Sequence, residues 1–350
     1  MTAKASSAPV SPASPARRES TARRDRSASL RPGWITIAGK EFTDHLLSVR
    51  FYVLVFVLGM AAMIPLYLAG ETIRNLAEAA SGSSSVFLAL FYLTPNREVD
   101  ILRVYSFVAI AAPLLGVGFA FDAVNGERHQ GTLPRLLSQP IHRDDVINGK
   151  FAAGLAVITL VLVVMLAVIS GYGLLRLGIT PAEGEVVRLF AWLVLTVMYV
   201  ALWLAFGTLL SVVIRRAATS ALVGLGVWFF VAVPQFGQFL VSLLGAIIAP
   251  RGTTGAEALQ SVATQEFLLR LLPSTLYREA SLVLLNPSVT AITTPATIDQ
   301  YAQYQQQIGS LFSLDQSVLL VWPHVVVLFA LTIGCFALAY ARFMRQEVRA

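Results

Sequence analysis

Six long apolar runs without an interior Asp, Glu, Lys or Arg constrain this sequence more than any other feature. Because a helix rises about 1.5 Å per residue, roughly 20 apolar residues cross a hydrocarbon layer of about 30 Å. The runs cover residues 51–70, 104–121, 151–175, 189–214, 217–249 and 318–341. The fifth is too long for one straight span and contains Pro234, so we expect a kink there. The sequence therefore predicts an all-α integral membrane protein with six transmembrane helices.

The amino-acid composition is also typical of a protein that lies in a lipid bilayer. Of the 350 residues, 56% are hydrophobic and 13% are charged, whereas charged residues make up about 25% of a soluble globular domain. The single cysteine, Cys335, lies in the last apolar run, so the chain contains no internal disulfide.

The basic residues follow the predicted topology. Nucleic acid is one explanation for a net charge of +6, but the positions of the charges argue against it. With the N-terminus in the cytoplasm, the inner segments and the two ends hold 18 of the 26 Lys and Arg residues, and the longer outer segments hold eight. By the positive-inside rule, we expect both termini in the cytoplasm and a multi-pass protein of the cell membrane. The partner indicated by this charge pattern is the lipid bilayer.

The segments outside the spans differ in character. Residues 1–31 are rich in Ser, Ala, Pro and Arg, which predicts a disordered cytoplasmic tail. Residues 32–350 form one transmembrane domain, in which 250–316 is a large outer region. Around Phe267 to Leu285 we expect amphipathic helices on the outer face, so a cysteine at Ser281 should be accessible from outside.

An interfacial helix is predicted before the first span. Apolar residues recur at helical spacing from residue 34 to residue 50, and polar residues, including Lys40 and Glu41, occupy the other faces. The apolar positions are Trp34, Ala38, Phe42, Leu46 and Val49.

The loop at 122–150 is predicted to contain a short amphipathic helix. Thr132 can cap its start, Pro134 fits its first turn, and Pro140 ends it. The apolar face consists of Leu133, Leu136 and Leu137. This helix either binds another protein or lies at the membrane surface with its leucines among the lipid headgroups.

Motifs for chemistry within the chain are missing. No phosphate-binding G-x-x-x-x-G-K-[ST] loop and no H-E-x-x-H occurs. The four histidines lie in separate segments without the spacing of metal ligands. We therefore expect no catalytic residue, no metal site and no cofactor in this chain.

The loop resembles the inner-loop signature of ABC-2 type permeases, the membrane subunits of ATP-driven exporters. The matching residues are Glu127, Gly131, Thr132, Leu133, Leu136, Leu137, Pro140, Arg143, Gly149 and Lys150. Pro134 departs from the pattern, because many members have an ordinary helix former there. The Lys-Glu pair of the interfacial helix is also similar to the family.

The resemblance implies how such a chain would work. A separate ABC ATPase subunit, which binds the ATP and Mg, would dock from the cytoplasm onto the loop helix, here a coupling helix. The three leucines would give apolar contact, and the polar register would be set by Glu127, Arg128, Arg135 and Arg143. A second permease subunit, identical or different, would complete the pathway.

Two other classes of function stay open. An ATP-independent secondary transporter or channel would work without any nucleotide-binding partner. An intramembrane enzyme that modifies lipids would use polar residues of the outer loops. The absence of charged residues within the spans and of site motifs argues against both.

Overall fold

The computed structural model describes residues 32–75, 86–94, 102–131, 142–248, 255–289 and 313–346. In these residues the regular structure is helical, with no strand. The helices are α1 (Gly33–Leu47), α2 (Val49–Asn75), α3 (Val86–Tyr92), α4 (Val104–Ala120), α5 (Asn125–His129), α6 (Arg143–Arg176), α7 (Glu183–Val213), α8 (Ala217–Ala232), α9 (Pro234–Ile248), α10 (Gly255–Arg270), α11 (Pro273–Leu285) and α12 (Leu314–Met344).

Five helices of the described residues are long and apolar enough to cross a membrane: α2, α4 continued by α5, α6, α7 and α12. Helices α8 and α9 meet the same criterion only together, and they give a sixth candidate if the bent pair is one span. The chain turns by 78° between them, at the proline where the sequence predicts a kink. The fold is therefore that of an all-helical, multi-pass membrane protein with five to six candidate spans.

Helix α7 forms the centre of the bundle and packs against α4, α6, α11 and α12. Its buried side chains include Trp192, Tyr199 and Leu204. Contact with α4 is close because Gly116 has no side chain: a Cβ there would lie 2.8 Å from the backbone nitrogen of Leu204. Small residues permit this approach of two helix backbones in a membrane protein.

Helix α11 packs into the bundle with buried side chains. The side chains of Tyr277, Ala280 and Ser281 are fully buried, and the helix packs against α4, α7 and α12. The expectation of an accessible Ser281 was therefore wrong, because the Ser281 hydroxyl accepts a hydrogen bond from the indole nitrogen of Trp192 at 3.1 Å. Sequence pattern missed this because Arg278 and Glu279 make the helix look like a surface element.

Helices α2 and α12 expose most of their large apolar side chains. Examples are Phe56 and Ile64 in α2 and Leu319 and Phe329 in α12. Exposed apolar surface of this extent in a chain with several candidate spans is the surface expected to face lipid or another subunit.

Candidate functional site

Polar contacts between distant parts of the sequence gather at one end of the bundle. We call it the basic end, made of residues 33–50, 118–131, 142–150, 211–216 and 343–346. It contains the flanks of the loop that carries the predicted coupling helix.

Lys150 is the centre of this end. Lys150 is only 7% exposed. Its ammonium group lies 2.7 Å from a carboxylate oxygen of Glu127 and 3.1 Å from one of Glu41. Glu41 belongs to α1, Glu127 to α5 and Lys150 to α6. One buried cation therefore joins three helices that are separate in sequence.

Helix α1 lies along the first turns of α6. The backbone nitrogen of Trp34 donates to Asp145 at 3.1 Å, which satisfies one of the free donors at the start of a helix. Ile37 is the one buried side chain of α1, and it faces Gly149. A Cβ at Gly149 would lie 2.8 Å from the Cβ of Ile37 and 2.9 Å from the carbonyl oxygen of Trp34, so only glycine allows this contact.

A second ion pair fixes the start of α2. The Arg50 guanidinium binds both carboxylate oxygens of Asp122, at 2.8 and 2.7 Å, and lies over the ring of Phe121 at 4.7 Å. Just before it, the Ser48 hydroxyl donates to the carbonyl of His45 and accepts from the nitrogen of Phe51. The interfacial helix predicted to Arg50 therefore ends at Leu47, and Ser48 separates it from the first span.

Helix α5 is tied to the end of α7. The Ser211 hydroxyl accepts hydrogen bonds from the backbone nitrogens of Val124 and Asn125, at 2.9 and 3.2 Å. The Asn125 side chain donates to the carbonyl of Ile214 at 3.1 Å.

The end of α12 contacts both flanks of the loop. The side-chain oxygen of Gln346 accepts a hydrogen bond from Arg128, and its backbone carbonyl accepts one from Arg143 at 3.2 Å. The Gln346 amide nitrogen donates to the carbonyl of Val212, at the end of α7, at 2.9 Å.

An open polar cavity of about 500 Å³ lies between α1, the start of α2 and α5. Its charged lining residues are Lys40, Glu41, Asp44, Arg50, Asp122, Glu127 and Lys150. A hydrogen bond to Asp44 raises the pKa of Lys40. Burial lowers the pKa of His45, whose ring packs edge-on against Phe119.

The predicted site residues fall into two groups. Thr132, Leu133, Arg135, Leu136, Leu137 and Pro140 lie outside the described residues, and so does the predicted tail at 1–31. Of the others, Glu41, Glu127, Arg128 and Arg143 make the contacts above. Phe42 and Leu46 pack partly buried against the core, whereas Trp34 and Lys40 are exposed. Gly131 has a φ of +68°, a conformation that favours glycine.

Sequence reasoning missed Ile37, Asp122, Asp145 and Gln346. Asp122 follows the second span directly and Arg50 precedes the first, so opposite charges at the ends of adjacent spans were a usable signal. Nothing in the local pattern of Gln346 indicates its contacts. Among the described residues, no group of three His, Cys, Asp or Glu side chains could hold a metal ion.

A second set of polar contacts lies at the opposite end of the bundle. This far end comprises residues 86–94, 182–199, 270–289 and 313–324. Arg188 is buried and donates to the carbonyl of Leu284 and the hydroxyl of Ser317, both at 3.1 Å.

Glu279 forms the ionic part of the far end. Its carboxylate lies 3.0 Å from the ring nitrogen Nε2 of His324 and 3.3 Å from Arg270. Helices α10, α11 and α12 meet at this carboxylate.

The fold and the basic end define a class: a polytopic helical membrane protein with a polar junction built from loop and helix ends. The sequence matches the family described as ABC-2 family transporter protein over residues 35–348. The chain therefore belongs to this family of transporter membrane subunits, and the resemblance stated above is confirmed.

Two curated relatives carry the name "Probable ABC transporter permease protein NosY". The protein of Stutzerimonas stutzeri is 31% identical over 180 residues, and that of Pseudomonas aeruginosa is 28% identical over 179 residues. Each match covers 49% of this chain and 59% of the relative. The chain thus matches about three fifths of the length of these relatives.

Proposed function

We propose that this chain is the permease subunit of an ATP-binding cassette exporter and that its basic end receives movement from a separate ATPase subunit. The ABC-2 family implies an ABC ATPase partner in general. The chain has no phosphate-binding loop of its own, so ATP hydrolysis would take place on that partner.

The observation that carries this proposal is the position of Lys150 between Glu41 and Glu127. A cation that is buried with two carboxylates holds its neighbours strongly, because each charge would be costly without the others. Helix α1, α5 and the start of α6 are therefore expected to move as one body when a partner displaces the loop.

Movement of this body would reach the membrane along α6. This helix runs without interruption from Arg143 to Arg176, so its first turns carry the junction and its remainder lies in the bundle. A rigid element with two positions is the physical requirement for coupling two distant sites.

The remaining parts of the proposal follow the family and the charge pattern. The protein lies in the plasma membrane with both termini in the cytoplasm. A second permease subunit completes the pathway. The exposed apolar faces of α2 and α12 support a membrane setting for such a pair.

The coupling role is tested with the complex of this chain and its ATPase, reconstituted in nanodiscs. We expect Lys150→Met, measured below its own unfolding temperature, to insert and to bind the ATPase, but to lose the stimulation of ATP hydrolysis by the permease. Leu136→Asp, in the predicted coupling helix, is expected to lose ATPase binding as well.

Arg342→Met is the matched control, because Arg342 is an exposed cation near the same end. It should stimulate hydrolysis as the unchanged chain does. Full stimulation by Lys150→Met would contradict the coupling role, and an ATPase that never binds the unchanged chain would contradict the exporter proposal itself.

The orientation is tested by labelling with a membrane-impermeant thiol reagent in a Cys335→Ala background. Gln130 and Ala263 are both exposed, and they lie near opposite ends of the bundle. We expect Ala263→Cys to react in intact cells and Gln130→Cys to react only after lysis; the reverse pattern would overturn the orientation.

A further inference from the structure

One residue contacts both flanks of the loop and a neighbouring span. Gln346 follows the C-terminal end of α12 and accepts hydrogen bonds from Arg128, before the loop helix, and from Arg143, after it. Its side-chain nitrogen donates to Val212 in the last turn of α7. These contacts bring together sequence positions that are more than 130 residues apart.

The charges at this point favour the arrangement. Two guanidinium groups approach oxygens just beyond the C-terminus of α12, the end of a helix that carries partial negative charge and free carbonyl groups. Hydrogen bonds from an ionised donor are stronger than those between neutral groups.

The acceptor side chain also has a fixed orientation. An amide has one acceptor and one donor end, and here the donor end is held by the Val212 carbonyl. Gln346 is half-buried, and its two side-chain hydrogen bonds are partly buried, which limits competition with water. The bond from Arg143 to its backbone carbonyl is exposed.

We propose that Gln346 is a positioning residue that fastens the flanks of the coupling loop to the inner ends of α7 and α12. This inference rests on the proposed function, since it assigns the loop a second route into the membrane. Through Lys150 the loop flanks are joined to α6, and through Ser211 and Asn125 they are joined to α7, the centre of the bundle. Through Gln346 they are joined to α12 as well.

Attachments at α6 and α7 alone would leave rotation about the line between them free. The third attachment, at α12, removes that freedom. A push on the loop then displaces spans on both sides of the bundle together.

The test measures distances between spin labels in a Cys335→Ala background. The first pair is Gln130→Cys and Ala341→Cys, which joins the loop flank to α12; both residues are exposed. The second pair is Val213→Cys and Ala341→Cys, which joins α7 to α12; Val213 is 51% exposed.

In the permease alone, we expect the unchanged chain to give one narrow distance for each pair. The side chain of Gln346→Met has a similar length but neither donor nor acceptor, and this variant should broaden the first distance. The second distance should stay narrow, because α7 also packs against α12 through other residues. Gln235→Met, the same substitution at an exposed glutamine of α9, should leave both distances unchanged.

Gln346→Glu keeps an acceptor for Arg128, so the first distance should stay narrow in that variant. Arg128→Met removes the same hydrogen bond from its other side; it serves if Gln346→Met does not insert, and it should also broaden the first distance. If the first distance stays as in the unchanged chain in Gln346→Met and Arg128→Met, Gln346 does not position the loop and the proposal is overturned.

The ATPase complex supplies the functional readout. With nucleotide trapped, the first distance should stay constant in the unchanged chain and shift in Gln346→Met, while ATPase binding is retained. If the permease without a partner gives the expected distances but never binds an ATPase, the exporter proposal is contradicted. Only the attachment of the loop flanks through Gln346 then stands. A nucleotide-induced shift of the first distance that has the same size in the unchanged chain and in Gln346→Met would overturn the positioning role of Gln346.

Discussion

The basic end and the far end join helices by different chemistry. At the basic end, the central contacts are ion pairs beside an open cavity, as with Lys150 between Glu41 and Glu127 and Arg50 on Asp122. At the far end, most contacts are hydrogen bonds to neutral groups within the bundle.

The aromatic residues illustrate the far end. Trp192 donates to Ser281, the hydroxyls of Thr196 and Tyr277 bond at 2.9 Å, and the ring of Tyr199 stacks on that of Tyr277. These contacts fix α11 against α7. The difference indicates that the far end is held by many hydrogen bonds of modest strength, whereas the basic end depends on a few ion pairs, of which the more exposed ones can exchange with water or with a partner.

The largest effect should come from removing the cation at the basic end. Lys150→Met leaves two carboxylates close together in a mostly buried site, and we expect a loss of about 3–5 kcal/mol in the free energy of unfolding. Arg188→Met, at the far end, removes two hydrogen bonds to the neutral groups of Leu284 and Ser317 and should cost about 1–3 kcal/mol. Thermal unfolding in detergent measures both.

A double variant sharpens this comparison. Glu41→Gln combined with Lys150→Met removes part of the repulsion and should recover some of the lost stability. A greater loss for Arg188→Met than for Lys150→Met would contradict the difference between the two ends.

The next effect concerns two glycines of α6. Gly149→Ala places a methyl group against the backbone of α1, and we expect a loss of about 1–3 kcal/mol. Gly173→Ala, near the far end, meets the flexible end of Leu90 and the ring of Phe87, which can shift, so it should cost less.

Gly171→Ala is the matched control for both glycines. A Cβ there meets nothing within 4 Å, so the substitution should be neutral or stabilising by up to about 1 kcal/mol. Equal losses at all three positions would show that helix α1 does not need the close approach at Gly149. If α1 detaches from α6 in Gly149→Ala, limited proteolysis should cleave α1 more readily than in the unchanged chain.

A smaller effect is expected within the far end. Tyr277→Phe removes the hydroxyl that bonds Thr196 and should cost about 0.5–1.5 kcal/mol. Since this end holds the bundle rather than the junction, stimulation of ATP hydrolysis should be retained at a temperature below unfolding. Loss of stimulation with unchanged stability would remove the distinction between the ends.

The smallest effect is the pH response of His45. Because burial lowers its pKa in the folded chain, the unfolded chain binds the proton more readily. The contribution of His45 to the free energy of unfolding is therefore fully present above its ordinary pKa of about 6.5. This contribution declines as the pH falls from there toward the lowered pKa. His45→Phe should weaken this decline in Tm; an identical decline would contradict it.

Sequence pattern was informative where one physical requirement dominates. Apolar runs such as 151–175 predict long helices because backbone groups in lipid must bond within their own helix. The family resemblance selected Glu127 and Glu41 for the site. The pattern did not predict that α11 is buried, because its Arg278 and Glu279 are typical of a surface helix.

The sequence by itself determined the membrane class, the approximate spans and the family, since hydrophobicity and local motifs act over short stretches of chain. Only the tertiary structure decided which charges meet: Lys150 with Glu41 and Glu127, and Gln346 with Arg128 and Arg143. The physical reason is that these contacts depend on how helices distant in sequence pack, and in particular on the close approach that Gly149 allows.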